Sequence, residues 1–196
     1  MFASSQAIDQ GVGLNLSVSE GESEAEREKL FTQGSQDFRQ KIDSGELRGD
    51  DREFATRMLE GAKLLTVTSD PLGQADHFTR VADLLVTRID NATRKNPKAV
   101  AHLGQAYLNV ANRGIHKNLD LAVSSDLTPE SRRRLEKIVQ RNLVIQAKLQ
   151  AVLRDNPDQG QVRKQLEQID HRLRRVQQKL KASTQPINSP KRSPIR

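Results

Sequence analysis

Val162, Leu166, Ile169, Leu173, Val176 and Leu180 constrain this chain more than anything else in it, because they are spaced four, three, four, three and four. That rhythm holds one apolar row on a single side of an α-helix. It has no reading as a strand, whose side chains alternate with a period of two. Upstream, Thr128-Pro129-Glu130 carries the signals of a helix start: a hydroxyl for the first free amides, a proline where no amide is needed, and an acid in the first turn. The pattern it opens continues to Arg154, where Asp155-Asn156-Pro157 pushes the backbone out of the helical region. Asp158, with Gln161 three residues later, forms a capping box and restarts it. The spacing predicts two long helices over residues 128–182, folded back on each other as an antiparallel, coiled-coil-like hairpin.

The first arm has more apolar surface than such a hairpin needs. One row is Leu135, Ile138, Ile145, Leu149 and Val152, interrupted by Asn142; a second is Val139, Leu143, Ala147 and Leu153. The first row supplies a seam for the row on the second arm. At about 1.5–3 kcal/mol for each fully buried aliphatic side chain, the second row requires a cover. The remaining helices, a second copy of the chain or another protein would each serve. Asn142 falls at a seam position, where a buried amide fixes register at a cost in stability; a solvent-facing Asn142 fits the pattern equally well.

The rest of the chain reads as shorter helices. Ser23 with Glu26 opens one that uses Leu30, Phe31, Phe38 and Ile42 and ends at Ser44-Gly45. Asp50 with Glu53 repeats the capping box, and that helix frays at Thr66 to Thr68, where β-branched residues cluster. Ser69-Asp70-Pro71 starts a third and Asn96-Pro97 a fourth, which Gly114 closes; one further turn is expected around Leu119 to Val123. The expected architecture is all-α. Residues 1–22 form a flexible N-terminal segment, 23–127 a bundle of about four short helices, 128–182 the long hairpin, and 183–196 a basic disordered tail.

Charge is distributed unevenly. Residues 1–96 carry 12 Lys and Arg against 17 Asp and Glu, whereas residues 97–196 carry 20 against 8. The basic half concentrates Arg132, Arg133 and Arg134 on the first arm and Lys164, Arg172, Arg175 and Lys179 on the second, with Lys191 and Arg192 in the tail. Such a stripe can neutralise phosphates. However, no aromatic residue follows Tyr107 to stack on bases, and Glu130, Glu136, Glu167 and Asp170 break the stripe into local ion pairs.

Catalytic chemistry has little to draw on. The chain has no Cys, and its four histidines, His77, His102, His116 and His171, show no metal-ligand spacing. Gly11-Val12-Gly13 lacks the third glycine of a dinucleotide loop. The expectation is a non-enzymatic protein with no cofactor, no metal and no small-molecule substrate. No apolar run approaches the roughly 20 residues of a membrane span, and Met1 to Ser19 lacks the basic start and apolar centre of a secretory signal peptide. A cytoplasmic location follows as an expectation.

Pro97-Lys98-Ala99 followed by Leu103-Gly104-Gln105-Ala106-Tyr107 resembles the first helix of a tetratricopeptide repeat, whose glycine lets neighbouring helices approach closely. The resemblance covers barely a dozen residues. No second copy lies 34 residues away on either side, so it implies one closely packed helix pair rather than a repeat array. The Ser-rich N-terminus, free of basic residues, is similar in composition to those of type III secretion substrates or to arms that order within a virion. Ser189-Pro190-Lys191-Arg192 resembles a proline-directed phosphorylation site. The functional expectation is a protein–protein interaction module, an adaptor, assembly component or secreted accessory protein, that binds a partner or itself through the 128–182 hairpin. Val139, Leu143, Ala147 and Leu153 are its contact residues. Nucleic-acid binding by the basic half is the alternative, and export without a cleavable signal peptide is a second.

Overall fold

The computed structural model describes residue 36 and residues 39–124, 127–154 and 160–182. The expectations for residues 1–22, the Ser23 capping box, the turn at Asp155-Asn156-Pro157 and the tail from Ser183 fall outside these residues. Within them the fold is all-α, with no strand. A helical stretch over 39–43 precedes six helices: α1 (Asp50–Val67), α2 (Pro71–Lys95), α3 (Pro97–Asn109), α4 (Lys117–Val123), α5 (Pro129–Arg154) and α6 (Gly160–Ala182). A π-helical segment, Val110–His116, joins α3 to α4.

The helix boundaries follow from local chemistry. At the start of α2, the Asp70 carboxylate accepts the Leu72 N–H at 3.3 Å and the Gly73 N–H at 2.7 Å. Two of the free amides at that end are thereby satisfied. Thr128 does the same for α5, its Oγ1 accepting the Ser131 N–H at 3.1 Å. Asp50 does not cap α1 as its spacing suggested. Gly49, at φ 55°, occupies the cap position without a side-chain bond, and Asp50, Asp51 and Glu53 instead lie in the first turn, where the helix dipole favours acids.

Helix α2 is the hub. It packs against α1, α3, the π segment, α4 and α5, while α6 lies against α5, α3, the π segment and α4. Its buried face carries Leu72, Ala75, Thr79, Val81, Ala82, Leu85, Val86 and Ile89. Cross-helix pairs set the directions. Asp51–Arg88 (2.5 Å) and Asp50–Lys95 (3.7 Å) place the start of α1 beside the end of α2, so the two run antiparallel. Asp70–Arg134 (3.2 Å) and Thr79–Asn142 (2.7 Å) pair α2 with α5 in the same direction. The Arg88 guanidinium also lies 5.7 Å from the Phe54 ring centroid, adding a cation–π contact to its largely buried ion pair.

Gly114 was expected to end a helix. Instead the chain continues through it in the π conformation and passes directly into α4. Glycine serves a steric purpose there rather than a terminating one: a Cβ on Gly114 would lie 2.8 Å from Cδ2 of the Phe78 ring and closer still to Cγ, so only glycine admits that ring. Gly104, in the segment resembling a tetratricopeptide helix, is less constrained. Its added Cβ would meet Val162 at 3.4 Å, an ordinary contact. Gly114→Ala is therefore expected to lower stability by about 1–3 kcal/mol through overpacking, whereas Gly104→Ala should leave it unchanged or raise it by up to about 1 kcal/mol. Denaturant unfolding of the two variants side by side checks this, and equal midpoints would refute it.

Candidate docking face

Helices α5 and α6 pack with antiparallel pairing. Arg132 Nη2 donates to the Leu180 carbonyl at 3.3 Å, Gln177 Nε2 to Gln140 Oε1 at 3.4 Å, and Gln146 Nε2 to the Leu166 carbonyl. All six residues of the α6 row are buried, as are Leu135, Ile138, Ile145 and Leu149 on α5; Val152 is half-buried. They do not form a seam between two helices alone. Val162 lies beside Gly104 of α3, and Arg172 Nη1 donates to Asn112 Oδ1 of the π segment at 3.3 Å. One core cluster runs from Leu47 to Leu180 and includes both rows.

A buried polar layer crosses this core. Asn142 is 2 % exposed, and its Nδ2 donates to Thr79 Oγ1 at 2.7 Å and to the Ile138 carbonyl at 2.8 Å. Thr79 in turn donates to the Ala75 carbonyl at 2.7 Å. One helical turn beyond Asn142, Gln146 is also buried and reaches α6. Polar groups so placed cost stability if the helices slide, because each would lose its partner while remaining buried. The layer thereby fixes α2, α5 and α6 in one register.

The second α5 row divides between inside and outside. Val139 and Leu153 are buried by this chain's own helices, Leu143 is half-buried at the core's edge, and Ala147 is exposed. The outward line of α5 is Arg133, Lys137, Gln140, Val144, Ala147 and Ala151, all exposed, with Val144 at 60 %. Sequence periodicity assigned Val144 to neither row, although its spacing of three and seven residues from Ala147 and Ala151 was the available signal. Where α5 begins and α6 ends, Arg133, Glu136, Lys137 and Gln140 face Gln177 and Lys181 across a groove of about 560 Å³, with Val139 and Leu180 at its floor.

Of the basic residues singled out in the sequence, several are engaged within the fold. Arg132 reaches Leu180, Arg134 pairs with Asp70 and Arg172 with Asn112. Arg133, Lys164, Arg175 and Lys179 are exposed, whereas Lys191 and Arg192 lie outside the described residues. Arg141 pairs with Asp83 at 3.2 Å and Arg174 with Asp170 at 2.6 Å, so acids of α2 and α6 interrupt the basic surface.

A smaller hollow of about 150 Å³ lies between α1 and α2. Its charged residues Asp50, Glu53, Arg57 and Arg88 each hold an ion pair already, with Lys95, Arg57, Glu53 and Asp51 respectively. Among the described residues, no group of three His, Asp or Glu is placed to hold a metal ion, and no helix is long and apolar enough to cross a membrane. His102 and His171 are exposed, and His77 is half-buried. His116 is 3 % exposed, and its Nε2 has no hydrogen-bond partner among the described residues. Burial, reinforced by the Arg172 charge and opposed by Asp120, holds its pKa down to about 4. Burial also pushes the Tyr107 phenol up. No family model, curated protein or solved structure matches the chain.

Proposed function

We propose that this chain is a non-enzymatic helical interaction protein, an adaptor or assembly component, that binds a protein partner along the outward face of α5 and its groove with α6. One observation carries the reading: Val144 stands 60 % exposed in the middle of a long helix, in line with Ala147 and Ala151. An exposed β-branched aliphatic beside two small residues lets a second helix approach closely, and removing that surface from water supplies association energy. Val139 and Leu153, buried within the chain, support the face from beneath rather than touching the partner.

Nucleic-acid binding is the second reading, supported by the exposed Arg133, Lys137, Lys164 and Arg175, none of which has an ion pair among the described residues. The two separate by salt. The full chain used as bait should recover a protein partner at both ~50 and ~200 mM salt and retain no DNA or RNA; retention at the low salt, lost steeply by the high, would transfer the function to nucleic acid. Light scattering over a wide concentration range then distinguishes a second copy from a different partner.

A further inference from the structure

The outward line of α5 runs the whole length of the helix, since Glu130 precedes Arg133 on it and Arg154 follows Ala151, both of them exposed. Its members are spaced three and four residues apart in strict alternation, the rhythm of a coiled-coil seam. The line is also symmetrical. Reversed about the level of Asn142 it falls on itself: Glu130 meets Arg154, Arg133 meets Ala151, Lys137 meets Ala147 and Gln140 meets Val144. At the outermost level an acid meets a base. At the next two a long cation meets an alanine, and at the centre the methylenes of Gln140 lie beside Val144.

Such a face fits an identical face running the opposite way, because a two-fold axis at the level of Asn142 satisfies every one of these pairs twice. Long side chains opposite small ones let two helices approach closely and interlock. The stems of Arg133 and Lys137 cover Ala151 and Ala147 of the second copy while their charges reach water. A parallel pair fails the same test. It sets Arg133 on Arg133 and Lys137 on Lys137, and leaves a gap between facing alanines. On the flank nearer α2, Arg134 and Arg141 each bring their own acid, Asp70 and Asp83, at 3.2 Å, so Lys148 is the one cation there without an ion pair among the described residues. The end of the second copy's helix comes to lie over the groove whose rim holds Arg133 and Lys137, and a single contact covers both parts of the docking face.

We infer that the partner of this face is a second copy of the chain, held in an antiparallel α5–α5 pair about a two-fold axis at the level of Asn142. The inference rests on the docking-face reading above and supplies its partner. One helix from each copy makes a contact at the small end of stable interfaces, so association belongs in the micromolar range. Sedimentation equilibrium of the full chain should show monomer and dimer exchanging across that range, and Val144→Asp should weaken the dimer at least about tenfold. Orientation is read by cross-linking, which the absence of cysteine permits. A mixture of Lys137→Cys and Ala147→Cys chains should form the mixed disulfide in preference to either symmetric one. Charge is read by exchange: Glu130→Arg should weaken the dimer several-fold, and adding Arg154→Glu should restore it. Both residues also suit the dipole of their own helix, so melting recorded on each variant separates lost association from lost fold.

A chain that stays monomeric to millimolar concentration would overturn the inference. So would a preference for the symmetric disulfide of the Lys137→Cys chain, or a dimer indifferent to Val144→Asp. The docking face itself is judged separately: a monomer whose recovery of a different protein still falls with Val144→Asp keeps the face and loses only the second copy.

Discussion

Leu166→Asp is expected to unfold the whole chain, not to release α6 from an otherwise intact bundle. Leu166 is fully buried, and its carbonyl accepts the buried Gln146 amide from α5. Truncating such a leucine costs about 2–5 kcal/mol, and placing an unpaired carboxylate in the same space adds several more. The total approaches the roughly 5–15 kcal/mol that holds a domain of this size together. The α6 row packs on α3, the π segment and α4 as well as on α5, within one cluster that extends to Leu47, so the damage cannot remain local. Circular dichroism and calorimetry should show loss of most helical signal and of the cooperative transition. A variant that keeps a transition for the bundle and loses only the signal of one helix would show instead that the helix pair is a separate unit.

Acidification should weaken the fold between about pH 6.5 and 4 through His116. In the unfolded chain this imidazole takes a proton near its ordinary value of 6.5; in the fold it resists until about 4, chiefly because it is buried. Between those limits the unfolded state binds more protons, so stability is complete above the upper limit and falls as pH drops toward the lower. A shift of this size corresponds to about 3 kcal/mol. Carboxylates titrate over part of the same range, so the informative quantity is the difference from His116→Leu. That variant removes a buried nitrogen that has no hydrogen-bond partner among the described residues and should be at least as stable at pH 5, with a flatter pH profile. Parallel profiles for the two proteins would refute the assignment.

Much of the fold was legible because its signals are local. The row on α6 is one period repeated, and every member of it is buried. The caps at Asp70 and Thr128 rest on side chains bonding amides two or three residues away, so they could be read from spacing. What the sequence concealed depends on distant partners. Gly114 has the signature of a helix end, yet the chain continues through it, and the Phe78 ring on another helix is what requires a glycine at that position. Asn142 remained ambiguous because its partner, Thr79, lies 63 positions earlier in the chain. The candidate face was visible in part. Periodicity marked α5 as having surplus apolar surface, but which residues α2 and α6 would cover is a property of their packing: Val139 and Leu153 turned inward, and Val144 outward.

The central claim, that the outward face of α5 binds a protein, is tested most directly by partner recovery with the full chain carrying Val144→Asp and Ala147→Asp, against the wild type. Both positions are exposed, so the melting transition should move little, within about 0.5 kcal/mol for each substitution. The account predicts that the doubly substituted bait retains this transition and recovers its protein partner at least about tenfold less, equivalent to about 1.4 kcal/mol of binding. Equal recovery on the two baits would contradict it.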